Sequence, residues 1–284
     1  MKKNIVIKDN IPSSFFKSKK IKKNNLIVSS SLNKIFANIK KKKDTFHLLS
    51  NKFEFGFKKS SLKRYSKFKK IIIIGMGGSI LGTKAIHCFF QHKIKKDFLF
   101  FDNLDPNKIQ KLIYQKKSNN VLYIIVSKSG NTIETLVNVN LLKKIKLNSS
   151  NTILIVENNN NFINNLSKKI KIPIIEHKRY IGGRYSVLSE VGMIPAHLMG
   201  LKLRNFRKNL LDYFKSKKKK LLADSVSKIS EIYLSKKINS IVFLSYSPQL
   251  SEFAYWCQQL IGESLGKKGR GLMPIVSVGP KDHH

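Results

Sequence analysis

From about residue 70 the chain reads as short apolar runs set between longer mixed stretches. The runs lie at 71–74, 98–101, 121–126, 153–156 and 172–175. Uninterrupted apolar runs of this length, bounded by Gly, Asp or Asn, suit strands buried on both faces rather than strands with one wet side. Gaps of roughly 20 to 30 residues leave room for a crossover helix between most pairs, which predicts a βαβ series and a parallel, doubly wound α/β sheet. Residues 1–68 scatter Phe, Ile and Leu among Lys and Asn and predict an N-terminal helical arm packed on the α/β region. The α/β domain is expected over 69–186. A second α/β unit is expected over 187–284, with helices at 189–200, through 235 and at 248–262, and a strand at 241–245.

Composition narrows the function classes. Apolar residues make up 42% of the 284 and aromatics 10%, enough to build a core, so disorder along the whole chain is excluded. The net charge of +39 would ordinarily point to nucleic acid or an anionic membrane. Only six of the 55 basic residues are Arg, however, the side chain whose planar fork reads phosphate and guanine. A drift of composition toward Lys, Asn and Ile explains the charge more simply, and neither a nucleic-acid nor a membrane partner is expected. The longest uncharged apolar stretch, 71–83, contains Gly75, Gly77 and Gly78 and is too short to span a bilayer. Two cysteines without metal-like spacing, Cys88 and Cys257, predict reduced thiols in a cytoplasmic protein and no metal site.

Four segments carry candidate chemistry. The first runs from Gly75 through Met76, Gly77, Gly78 and Ser79 to Gly82, a strand entering a glycine-rich turn and then a helix. Such a turn lets backbone approach a ligand and offers helix-terminal amides to an anion. It is compatible with dinucleotide binding, with Asp102 at the expected distance, or with a phosphate monoester held by the Ser79 hydroxyl. The second is Ser127, Lys128, Ser129, Gly130, Asn131 and Thr132, directly after the strand at 121–126. Its hydroxyls and amides can surround one dianionic phosphate, or one of them can simply cap the next helix with Glu134. Two such loops at the carboxyl ends of strands in one sheet favour a ligand site.

The third segment, Gly182, Gly183, Arg184, Tyr185 and Ser186, is either a surface loop or a mount for an Arg that stabilises developing oxyanion charge. The fourth holds Gln259, Glu263 and Ser264 on an otherwise apolar helix with Phe253, Tyr255 and Trp256. A carboxylate at that end of a helix is mildly unfavourable; desolvated among apolar neighbours, it would suit a general base. The chain closes on Lys281, Asp282, His283 and His284, which alone mean little.

Taken in order, GMGGSILG, SKSGNTIET, GGRYSVLSEVG, ESLGK and GPKDHH resemble the glucose-6-phosphate isomerase (phosphoglucose isomerase) family, over about residues 71–284. The resemblance implies two sugar-isomerase-type α/β domains, the second incomplete here, in a cytoplasmic homodimer of glycolysis and gluconeogenesis. It implies interconversion of glucose 6-phosphate and fructose 6-phosphate through a cis-enediolate, with no cofactor. Gly78, Ser79, Ser127, Lys128, Ser129, Thr132, Gly183 and Gln259 would bind substrate. Arg184 would stabilise the enediolate, Glu263 would shuttle the proton between C1 and C2, and His284 would open the ring in the neighbouring subunit. The family's usual Asp-Gln-His reads Asp282-His283-His284 here, which leaves two histidines for one role. Family members continue past this point with further helices and a lysine that assists ring opening, so the resemblance implies a fragment or a truncated chain. A phosphosugar-binding domain without catalysis is the alternative expectation, against which Glu263 and Arg184 speak, since binding phosphate needs neither.

Overall fold

The structure is a computed structural model that describes residues 8–108, 110, 120–141, 147–236 and 238–283. Five strands, β1 (Lys70–Ile74), β2 (Asp97–Phe101), β3 (Val121–Ser127), β4 (Thr152–Val156) and β5 (Ile174–Glu176), form an all-parallel sheet in the order β2-β1-β3-β4-β5. The chain leaves β1, winds outward to β2, then crosses to β3 and onward. That reversal places the carboxyl ends of β1 and β3 side by side.

Side chains alternate along a strand, so each strand feeds two cores. Ile71 and Ile73 of β1, Leu122, Ile124 and Val126 of β3, and Ile153 and Ile155 of β4 face one side. There they meet α2 (Leu81–Phe90) and α5 (Glu190–Leu198) through Ile86, Met193 and Ile194. Ile72, Ile74, Tyr123, Ile125, Leu154 and Val156 face the other side, against Val139 of α3 (Ile133–Leu141) and Ile163 of α4 (Phe162–Lys169). The expectation of strands buried on both faces holds: every residue of β3 and β4 is buried. Each fully buried Ile or Leu contributes roughly 1.5 to 3 kcal/mol over its exposed state.

The expected arm is a helix, α1 (Ser18–Asn38), followed by short 3-10 turns; Leu62 and Tyr65 of the last turn, and Phe68 just after it, enter the first core. α1 packs on α6 (Ser216–Leu234) rather than on the sheet, through Asn25 bonded to Asp224 and Ser227, and Asn24 bonded to Glu231. After α6 come β6 (Ser240–Ser245), α7 (Ser251–Leu265) and β7 (Met273–Val278), with β6 and β7 paired in parallel. β7 was not expected from the sequence. Its Pro274 reads as a breaker, yet proline is tolerated at a sheet edge where its missing N–H costs no ladder bond. Among the described residues no helix is long and apolar enough to cross a membrane.

Candidate active site

The loop after β1 explains how the separate segments converge. A Cβ on Gly78 would lie 2.2 Å from the carbonyl carbon of Gly183 and 2.4 Å from the amide nitrogen of Arg184. One on Gly77, whose φ is +53°, would lie 2.7 Å from Gln259 Nε2, and one on Gly82 2.7 Å from the Val187 side chain. These glycines were expected to admit a ligand. Their missing side chains admit the protein's own backbone, the Val187 side chain and the Gln259 amide, so three candidate segments meet at one point. Ser186 Oγ adds a hydrogen bond to the Gly78 carbonyl at 3.1 Å.

The hydroxyl loop after β3 is internally braced. Thr132 Oγ1 lies 3.1 Å from Ser127 Oγ and 3.3 Å from Ser129 Oγ. Ser127 Oγ accepts the Gly130 amide at 3.1 Å, and Ser129 Oγ accepts the Asn131 amide at 3.2 Å. Gly130 has φ of +69°, where a side chain would also strike Asn161 Oδ1. Asn131 Oδ1 accepts the Phe162 amide, which fastens the loop to α4. The Ser127 and Ser129 hydroxyls are thus each held within hydrogen-bond reach of the Thr132 hydroxyl. Lys128 is placed otherwise: its ammonium donates to the Arg179 carbonyl at 2.9 Å, beyond β5. Ser79 is buried at the end of the 3-10 turn at 77–79 in the first loop.

The third and fourth segments form one hydrogen-bonded cluster. Arg184 donates from Nε to Ser264 Oγ at 3.0 Å and from Nη1 to Glu263 Oε2 at 3.3 Å. Gln259 Nε2 donates to Glu263 Oε1 at 2.7 Å, so each carboxylate oxygen is held by a different donor. Gln259 Oε1 is buried and has no partner among the described residues. A buried acceptor left unpaired costs about 1 to 3 kcal/mol, which a ligand hydroxyl there would recover. The Arg184 carbonyl accepts Trp256 Nε1–H at 3.1 Å, and its guanidinium lies over the Tyr185 ring.

One expectation needs correction. Glu263 was expected to be desolvated among apolar neighbours, but its side chain is 49% exposed and paired with Arg184. On α7 only Ala254 is fully buried, so the apolar texture of this helix does not enclose its C-terminal end.

Two participants, Ser264 and Trp256, were named in the sequence reading without a role in the site. Ser264 ties Arg184 to Tyr185, whose phenol lies 2.9 Å from the same hydroxyl. Partial burial pushes that phenol up, but the hydrogen bonds from Ser264 and Arg184 and the charges of Arg184 and Lys267 outweigh it and hold the group below the ordinary tyrosine value. The available signal was adjacency to Glu263. Trp256 was read only as apolar filler, although a buried indole N–H normally finds an acceptor.

Asp102 is paired with Lys84 of α2 at 2.7 Å, and Lys84 also meets Glu252 of α7 at 3.2 Å. The carboxylate that a dinucleotide ribose would need is therefore taken by an internal ion pair, and the phosphate-monoester reading of the first loop is preferred. His283 Nδ1 lies 2.9 Å from Tyr246 Oη, while Asp282 accepts the Val278 amide at 2.8 Å. His284 lies outside the described residues.

Comparison with known proteins bears on the family and the fold. The family model described as phosphoglucose isomerase matches residues 15–272. The glucose-6-phosphate isomerase of Methanocaldococcus jannaschii is 34% identical over 230 residues, covering 78% of this chain and 57% of that protein. The one from Campylobacter jejuni is 30% identical over 230 residues, covering 76% and 56%. The chain thus spans somewhat over half the length of the curated relatives it matches. Among solved structures, a hypothetical protein from Thermus thermophilus superposes with a TM-score of 0.75 at 23% identity, covering 94% of this chain and 68% of that one. A glucose-6-phosphate isomerase from Chlamydia trachomatis superposes at 0.62 with 19% identity, covering 98% and 52%. These two show the fold, a parallel α/β sheet of the sugar-isomerase type. On the match across residues 15–272, the chain belongs to the phosphoglucose isomerase family.

Proposed function

We propose that this chain carries the substrate-binding loops and the proton-transfer machinery of an aldose–ketose isomerase acting on glucose 6-phosphate and fructose 6-phosphate. The observation that supports it is the Gln259–Glu263–Arg184 cluster, seated directly on the glycine loop that adjoins the hydroxyl loop. Ser79, Ser127, Ser129 and Thr132 hold the phosphate, whose binding positions the remote carbons. Gly78 and Gly183 keep the two loops in contact, and Lys128 supplies positive charge at the loop's outer edge. Glu263 removes the proton at C2 of the open-chain aldose and returns it to C1. The hydroxyl proton moves from O2 to O1, so the reaction is neutral in atoms and electrons. Arg184 keeps donors beyond those given to Ser264 and Glu263, and these meet the negative charge that develops on the enediolate oxygen. Gln259 Oε1 accepts a sugar hydroxyl.

His284 opens the sugar ring in the neighbouring subunit of a homodimer. Its assignment over His283 is tested by complementation between Glu263→Gln and His284→Ala subunits, in which mixed dimers regain activity and neither parent does.

The principal test follows glucose 6-phosphate formed from fructose 6-phosphate in a coupled assay, with deuterium incorporation from solvent as a second readout. Glu263→Gln is expected to lower turnover by about 10² to 10⁴ while calorimetric binding of fructose 6-phosphate persists. Equal turnover in both proteins would reject Glu263 as the base. Binding without turnover in the unsubstituted chain would instead favour a phosphosugar-binding role.

A further inference from the structure

A cavity of about 640 Å³ opens between the Phe53 and Phe55 loop and the turn at 203–208, and none of the candidate site residues lines it. A neighbouring cavity of about 480 Å³ shares Lys59, Leu203 and Arg204 with it. Basic walls are unremarkable in a chain with 49 Lys, and they would carry no argument alone. The arginines do. Only six exist in the sequence, and two of them, Arg204 and Arg207, line this one cavity.

Arg207 is unusual in its setting. It is 6% exposed, and its guanidinium lies over the rings of both Phe53 and Phe55. Nε donates to the Leu48 carbonyl at 3.0 Å and Nη2 to the Leu188 carbonyl, while Nη1 has no hydrogen-bond partner among the described residues. Burial pushes the group down to about 10, against an upward pull from Glu190. No carboxylate forms an ion pair with it among the described residues; Glu190 instead pairs with Lys178 at 2.7 Å. Nη1 is not among the buried unpaired atoms, so it is the part of the guanidinium that solvent reaches, and an anion there would pair a largely buried cation that has no carboxylate partner among the described residues. Lys59, Arg204 and Lys208 add three exposed cations whose side chains make no bond or ion pair among the described residues. The volume far exceeds one phosphate and falls within the range of organic-ligand pockets.

We propose that this cavity is a second anion site, separate from the catalytic loops, for a phosphorylated organic molecule of about mononucleotide size. The phosphate group sits among Arg204, Arg207 and Lys208, and the organic portion lies along Phe55 and Leu203.

The test is calorimetric titration of the 284-residue chain with adenosine 5′-monophosphate and, separately, with inorganic phosphate. The nucleotide is expected to bind at one saturable site, more tightly than phosphate. Arg204→Gln combined with Lys208→Gln, both on the exposed rim, should weaken it at least about tenfold, the loss of one to two charge-assisted contacts. Ser127→Ala with Thr132→Ala should leave it unchanged. Arg207→Lys, checked for folding by its melting curve, should also weaken it, because lysine keeps the charge and loses the fork. The proposal is overturned by no saturable heat at several millimolar nucleotide, by many weak sites indifferent to the rim substitutions, or by loss of binding in the Ser127/Thr132 variant. The last result would place the nucleotide on the hydroxyl loop. Since no readout is catalytic, an inactive chain would leave this test intact.

Discussion

The two sheets of this molecule are both parallel, and both present Ile, Val, Leu and Phe, yet they hold their strands differently. In the five-stranded sheet every residue of β3 and β4 is buried between helices on both sides. In the two-stranded sheet no residue is fully buried, and Val242 and Met273 are 55% and 68% exposed. The proposed phosphate-binding loops spring from the first sheet and the proposed base from a helix of the second region. α7 takes its position less from β6 and β7 than from the first region. Trp256 reaches the Arg184 carbonyl, Glu252 reaches Lys84, and Gln259 fills the space at Gly77. A side chain such as Glu263, the proposed base, can therefore be held on a lightly buried element, provided its contacts run to a rigid one.

The largest test of that contrast is a matched pair of truncations. Ile124→Ala in β3 removes a side chain that is fully buried and should cost about 2 to 5 kcal/mol in urea unfolding. Leu244→Ala in β6, where the side chain is 40% exposed, should cost about 1 kcal/mol or less. Similar losses at both positions would erase the distinction. Next in size is Gly78→Ala. Its methyl would press on Gly183 backbone, which cannot swing aside as a side chain can, and about 1 to 3 kcal/mol is expected together with a drop in turnover. A variant of normal stability and turnover would show that the crossing of the two loops is not needed.

The smallest effect concerns the tie between the regions. Burial lowers the Lys84 ammonium's affinity for its proton, but the hydrogen bonds and charges of Asp102 and Glu252 outweigh this and raise it above the ordinary lysine value. A group raised on folding stabilises fully below its unfolded value and loses that contribution as pH rises through the folded one. Lys84→Met should therefore cost about 1 kcal/mol near neutral pH, discounted for a side chain still 22% exposed. The gap from the unsubstituted protein should begin to narrow only above the ordinary lysine value of about 10.4 and close beyond the higher folded value. A deficit independent of pH would assign the loss to packing rather than charge.

Much of the first sheet was legible because four consecutive apolar residues permit little else between Lys70 and Gly75, and the strands emerged within about two residues of expectation. β7 was not, because Pro274 and Ser277 break the apolar texture and its pairing with β6 is a contact across 33 positions, as in Ser240 with Met273. In the site, Ser127, Thr132, Arg184, Gln259 and Glu263 stood out by residue type and neighbours. Their mutual geometry did not. Nothing local in the sequence says that Glu263 is open to solvent and paired, or that Ser264 joins Arg184 to Tyr185, since those facts depend on where α7 lies against a loop some eighty residues earlier.

The glycine crossing bears on how such a sequence can change over time. Across most of the surface, exchange toward lysine, asparagine and isoleucine is sterically free, and this chain carries 49 lysines. At Gly78 and Gly82 the same exchange meets another part of the chain within 2.7 Å, whichever amino acid is introduced. Mutational pressure free to rewrite the exterior is expected to halt at these positions for want of space for one carbon atom.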